Sequence, residues 1–137
     1  MENDLISCKG VMRLNSMDNI VPLFVGKFPE YEQKLADHIE FNEEILPHVF
    51  FGDEVNVVLI KFLKENKNHD KISSYFLFFE EEMYNNGDLA VRQILSTTIL
   101  ARLGDDCELL KDSYKFMGFN TRRLSKEIER FLQRKCT

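Results

Sequence analysis

KISSYFLFFEEEMYNNGD, residues 71–88, decides how this chain folds. Ile72, Tyr75, Phe76, Phe79 and Met83 follow one another at intervals of three, one, three and four residues. That is the spacing of one helical face. Leu77 and Phe78 widen the apolar stripe, which predicts a central helix. Asn85-Asn86-Gly87 then ends it and Asp88 opens the next. Glycine closes helices because it enters the left-handed conformation without a Cβ penalty. Aspartate opens them because its carboxylate accepts the free N–H groups of a first turn. The same pair recurs at Gly52-Asp53 and Gly104-Asp105. Each pair predicts one helix stopping and another starting with almost no loop.

Upstream, Asp18 is placed to cap a short helix running to about Phe28, with Pro22 near its first turn. Pro29 suits the first position of the next helix, which reaches about Glu44 with Tyr31, Leu35 and Ile39 on one stripe. Ile45-Leu46-Pro47 interrupts. Asp53 is expected to open a helix to about Glu65 with Val55, Leu59, Phe62 and Leu63 inward, and residues 66–70 read as a polar loop. Downstream, Val91, Ile94, Leu95, Thr98 and Ile99 keep helical register to Leu103. Asp105 and Glu108 have capping-box spacing for a helix reaching about Met117. Asn120 or Thr121 opens the last helix, with Leu124, Ile128, Phe131 and Leu132 expected inward.

The fold class is therefore all-α. Six or seven short helices in antiparallel hairpins form either a HEAT- or armadillo-like array or a closed irregular bundle. The chain of 137 residues reads as one domain, residues 1–137. Residues 1–16 read as an N-terminal arm whose structure the spacing leaves undecided: Leu5, Ile6, Val11, Met12 and Leu14 could dock as an arm, a short helix or a strand.

Charge is segregated along the chain. Residues 115–137 hold seven Lys or Arg against two Asp or Glu, which leaves 11 basic and 21 acidic residues in 1–114. The acidic part disfavours binding to nucleic acid or anionic lipid and suits a basic protein partner. Twelve phenylalanines without a tryptophan imply a core of phenyl rings. Cys8, Cys107 and Cys136 match no zinc spacing and read as free thiols of a reducing cytoplasm. No apolar run approaches a membrane span, and residues 1–10 do not have the form of a secretory signal.

No residue pattern predicts catalysis, a metal or a cofactor, and the chain is not expected to be an enzyme. His38, His48 and His69 lack the spacing of a helical metal site and read as exposed or capping residues. Ser96, Thr97 and Thr98 sit in mid-helix, where hydroxyls bond back to the backbone. Asp105, Asp106 and Glu108 oppose activation of Cys107. Glycines never cluster into a phosphate cradle. Glu80, Glu81 and Glu82 point about 100° apart on a helix and so do not converge on one point. Phe50 and Phe51 read as pins of a helix corner, one filling the core and the other covering a groove. Arg123, Lys126, Arg130 and Arg134 form one basic stripe, the only feature that favours nucleic acid.

The run Leu46-Pro47-His48-Val49-Phe50-Phe51-Gly52-Asp53, with Met83-Tyr84-Asn85-Asn86-Gly87-Asp88 and the segment 94–103, resembles a bacterial all-helical domain family. That family carries a Leu-Pro-His-x-Phe-Phe-Gly-Asp motif. It is associated with immunity proteins of polymorphic toxin and contact-dependent growth inhibition systems. The resemblance spans roughly Pro29 to Asp105 and brings no catalytic residue. It implies a cytoplasmic immunity protein that binds and neutralises a cognate toxin C-terminal domain, such as a nuclease. An acidic helical surface would occlude the toxin's basic cleft. The expected contact residues are Glu40, Glu43, Glu44, Asp53, Glu54, Glu80, Glu81 and Glu82. The alternative is a HEAT-like interaction scaffold without an inhibitory role.

Overall fold

The computed structural model describes residues 14–135. Among these, seven helices account for almost all the regular structure. They are α1 (Ile20–Lys27), α2 (Glu32–Asn42, entered through a tight turn at Pro29–Tyr31), α3 (47–65), α4 (69–85), α5 (89–103), α6 (Cys107–Ser113, extended by a tight turn at Tyr114–Phe116) and α7 (Phe119–Phe131). The all-α reading holds. Of the arm expected over residues 1–16, all but 14–16 lies outside the described residues. Asn15 is tied into the turn between α4 and α5. Its N–H donates to the Asn86 carbonyl (2.9 Å), and its own carbonyl accepts the Asp88 N–H (2.9 Å).

The helices close into an irregular bundle. In an open repeat array each unit touches only its neighbours. Here α3 packs against α1, α4, α5 and α6, and α7 lies across both α4 and α5. The Phe-rich core explains this closure. Phe24, at the middle of α1, is surrounded by the rings of Phe28, Tyr31, Phe51, Tyr75 and Phe78 at centroid distances of 4.6 to 6.0 Å. Those rings come from α1, the turn into α2, α3 and α4, so one cluster knits the N-terminal half together. Tyr31 and Tyr75 satisfy each other inside it through a hydroxyl pair at 2.9 Å. Burial, followed by the Tyr75 hydroxyl, pushes the Tyr31 phenol far above its ordinary range.

The three Gly-Asp pairs play three different parts. At Gly87-Asp88 the aspartate acts as expected, since Asp88 Oδ1 accepts the Val91 N–H at 3.0 Å and opens α5, but Gly87 does not take the expected left-handed conformation. Gly52-Asp53 is no boundary. α3 starts at Pro47, in the first helical position, and runs unbroken through a widened i→i+5 stretch at Phe51–Val55. Gly52 is glycine because α5 comes close: a Cβ there would lie 3.2 Å from Thr98 Cγ2 and 2.5 Å from Arg102 Nη1. With the helix already under way, Phe50 and Phe51 both reach the core, with ring planes at 89°. The expected groove-covering role for one of them is therefore corrected.

At the third pair the cap is one residue later. Asp106, not Asp105, accepts the N–H groups of Glu108 (3.1 Å) and Leu109 (3.2 Å). Asp105 is taken by Arg134 at 2.7 Å. Asp106→Ala should accordingly destabilise the protein by about 1 kcal/mol, and Asp105→Ala by less, because its pair is solvent-exposed. Urea unfolding of the two variants checks the order; a larger loss for Asp105→Ala would move the cap back. Left-handed positions fall to Glu43, Asn66, Asn68 and Gln133, and to no described glycine.

Three expected stripes change as well. In α2, His38 is buried and Ile39 exposed. In α4, Leu77 is exposed, while Phe78 joins the buried set. In α7 the difference is larger: Thr121, Ser125 and Glu129 face inward, Leu124 and Ile128 are half-buried, and Phe131 and Leu132 are exposed. Polar anchors at both ends turn the helix this way. At its start, Glu80 of α4 caps it: Oε2 accepts the Asn120 N–H (3.1 Å), and Oε1 accepts the Thr121 N–H and hydroxyl (both 2.8 Å). A carboxylate there also meets the positive end of the helix dipole.

At the end of α7, Gln133 adopts φ 59°. The Arg134 N–H returns to the Glu129 carbonyl (2.9 Å) and the Gln133 N–H to the Arg130 carbonyl (3.0 Å). This Schellman closure swings the Arg134 side chain back onto the Glu129 carboxylate, at 2.8 and 2.6 Å.

Candidate protein-binding surface

The acidic residues singled out in the sequence fall into two groups. Glu40, Glu43, Glu44, Asp53 and Glu54 belong to the α2–α3 corner; Glu80, Glu81 and Glu82 belong to the end of α4. The corner is rigid for local reasons. α2 ends where Glu43 turns left-handed, its N–H still bonded to the Ile39 carbonyl at 2.7 Å. The chain then returns so that the Leu46 N–H donates to His38 Nε2 at 2.9 Å. Asn42 Nδ2 donates to the His38 carbonyl at 2.9 Å, and the His38 ring packs edge-on against Phe50. Pro47 then starts α3, since the residue before a proline is extended and proline tolerates the first helical position. His38 is thus a buried corner post and not a ligand. His48 bonds Thr98 Oγ1 at 2.7 Å, and His69 bonds Asn66 Oδ1 at 2.8 Å.

This corner presents a shallow depression of ≈ 190 Å³ lined by Asp37, His38, Phe41, Asn42, Val49, Asp53 and Glu54. Asp37 and Phe41 are four residues apart and share one face of α2. The Phe41 ring is 88% exposed. Ile39, Val49 and Val57 are exposed on the same two helices. Glu40, Glu43, Glu44 and Asp53 are solvent-exposed, and Glu54 is half-buried with Lys34 3.5 Å away. An accessible phenyl ring among carboxylates offers apolar area within a negatively charged rim, a chemistry that suits contact with a basic protein surface.

The α4 group is divided. Glu80 is consumed in capping α7. The Glu82 side chain accepts from Asn15 Nδ2 at 3.0 Å and lies 3.8 Å from Lys27 Nζ. Glu81 is exposed. Consecutive helical positions point in different directions, as the spacing required, so these acids form no single contact point. Phe41 is not among the residues expected from the sequence; its one signal there is a position off the apolar stripe Tyr31, Leu35 and Ile39.

Among the described residues no group of His, Cys, Asp and Glu is arranged to hold a metal ion. None of their helices is long and apolar enough to cross a membrane. Cys107 is a half-buried free thiol.

The family model described as "Domain of unknown function (DUF7674)" matches residues 21–133, and the chain belongs to that family. No curated protein matches the chain. No solved structure matches it either.

Proposed function

For this member of the DUF7674 family, we propose an inhibitory binding role. The protein acts as an immunity protein that neutralises one cognate toxin domain by covering its basic active-site cleft. The observation that carries the reading is the exposed Phe41 beside Asp37, Asp53 and Glu54 on a corner held rigid by His38. A rigid surface loses little entropy on binding, and one accessible aromatic anchor within a complementary charge rim suits a tight, selective contact. A nuclease is the toxin class whose cleft best matches the acids. The resemblance of residues 46–53, 83–88 and 94–103 to an uncharacterised bacterial helical domain family associated with immunity proteins is in keeping with this reading.

The test starts with a C-terminally tagged chain used to capture its partner from the native host. One stoichiometric protein with a toxin-like C-terminal domain is the expected result. Phe41→Ala should then weaken that complex about 10- to 100-fold. Asp53→Lys should slow association, more so at low salt. Binding that ignores both substitutions would remove the α2–α3 surface from the mechanism. Capture of several unrelated partners would favour the scaffold alternative, in which inhibition plays no part.

A further inference from the structure

Tyr84, near the end of α4, is held between two arginines from two other helices. Arg92 of α5 donates from Nε to the Tyr84 carbonyl at 2.9 Å. Its guanidinium lies over the Tyr84 ring, 4.2 Å from the centroid. Arg123 of α7 meets the same side chain at its tip. Its Nη2 donates to the Tyr84 hydroxyl at 3.1 Å and to Asn120 Oδ1 at 3.3 Å. One phenol thus fixes two guanidiniums, one over its ring and one at its hydroxyl. Tyr84 and Arg92 are half-buried and Arg123 is exposed, so the group is reachable from solvent.

This group is rich in donors and short of acceptors. A guanidinium carries several N–H groups and no acceptor. Arg92 spends only Nε within the protein, which leaves both terminal nitrogens. Arg123 spends only Nη2, which leaves Nε and Nη1. The Tyr84 oxygen accepts from Arg123, so its own O–H points elsewhere and meets no acceptor among the described residues. Among those residues neither arginine is ion-paired with a carboxylate, although the chain has acids in excess. Asp88 and Glu80, on the same elements, are spent on capping α5 and α7. Glu127, one turn on from Arg123, makes no ion pair with it.

We propose that Arg92, Arg123 and the Tyr84 hydroxyl form a binding site for a phosphate group, free or carried as the monoester of a small molecule. Two unneutralised cations around one ring repel each other, and an acceptor-only dianion relieves that repulsion. The tetrahedral oxygens of a phosphate accept from both guanidiniums and the hydroxyl together. A carboxylate has one charge, which a single arginine already satisfies. The stacking on Tyr84 and the Nε bond hold Arg92 in place before a ligand arrives, so little side-chain freedom is lost on binding. The site belongs to other helices than the α2–α3 corner and does not depend on the inhibitory reading.

The test titrates the full chain with inorganic phosphate at constant ionic strength and follows the arginine Nε–H signals by NMR. Saturable shifts of Arg92 and Arg123 are expected, with a Kd on the order of 1 mM. Arg92→Gln and Arg123→Gln should each weaken binding at least about fivefold, and the double variant should abolish it. Tyr84→Phe, which keeps the ring under Arg92, should weaken it about two- to fivefold. Arg130→Gln, at an exposed arginine elsewhere on α7, should change nothing. Unchanged amide signals away from the site report that each variant is folded. No saturable shift, or equal weakening by Arg130→Gln, overturns the proposal. Tighter binding of glycerol phosphate than of inorganic phosphate supports the site and assigns it to a monoester. Equal or weaker binding of glycerol phosphate supports it as a site for the free ion. Succinate bound as tightly as phosphate would overturn it in favour of carboxylates. A single-stranded RNA bound at least about a hundredfold more tightly, and lost in the double variant, would overturn it in favour of nucleic acid.

Discussion

Arg134→Ala is expected to lower the unfolding free energy by about 3 kcal/mol, the lower end of what removing one partner of a buried ion pair brings. The Glu129 side chain is 1% exposed. Its two oxygens accept from Arg134 Nε at 2.8 Å and Nη2 at 2.6 Å. Nη2 also reaches the Ala101 carbonyl (2.9 Å), and Nη1 reaches Asp105 (2.7 Å). One guanidinium thus ties the end of α7 to the end of α5 and the turn before α6. These contacts hold the Arg134 guanidinium above its usual range, the Glu129 hydrogen bond contributing most. The carboxylate presses so closely on Gly104 that a Cβ there would collide with Glu129 Oε2.

Without Arg134 the carboxylate stays buried with no cation, although water entering the vacated space softens the loss. Arg134→Lys should recover only part of it, because an ammonium cannot make the paired, planar contact. The double variant Arg134→Ala with Glu129→Leu should recover more, since no charge is then left inside. Urea denaturation measures all three. A loss below about 1 kcal/mol for Arg134→Ala would show that the clamp is an ordinary surface pair.

Phe24→Ala should be at least as damaging, about 3–5 kcal/mol, the range for truncating a buried phenylalanine. Phe24 is wholly buried, and its ring is the meeting point of Phe28, Tyr31, Phe51, Tyr75 and Phe78. Truncation opens a cavity walled by rigid rings from several helices, and such walls collapse poorly into the space. Phe24→Leu should fall between the wild type and the alanine variant. Phe41→Ala should change stability by less than about 0.5 kcal/mol, because that ring touches mainly solvent. Equilibrium unfolding of the three chains gives the comparison, and equal losses at positions 24 and 41 would refute the burial argument. The same contrast separates structure from binding: Phe41 is the phenylalanine whose loss should spare the fold and harm the partner complex.

The candidate surfaces were only partly legible in the residues. The abundance of acids in the first 114 residues pointed to a basic partner. It could not show that Glu80 would be spent capping α7, because that depends on a helix forty residues away. Nor could composition single out Phe41. Its helix carries Tyr31, Leu35 and Ile39 as a plausible core stripe, yet the chain rotates α2 so that His38 faces inward and bonds the Leu46 N–H. A local polar contact outranked the apolar period. The outward apolar edge of α7 arose in the same way, when the Glu80 cap and the Arg134 clamp drew a polar stripe inward and left the apolar one outside.

Helical periodicity, the phenylalanine-rich core and the Asp88 cap were determined by the sequence alone. These rest on interactions within a few residues, or on burial that any compact state requires. The tertiary structure decided which way each helix faces, why Gly52 lies inside a helix and whether the hairpins form an array or close on themselves. These outcomes depend on contacts between residues far apart in the chain, such as Gly52 with Thr98 or Glu80 with Thr121. Local spacing cannot encode them, because a helix with one polar and one apolar face reads the same whichever of the two is buried.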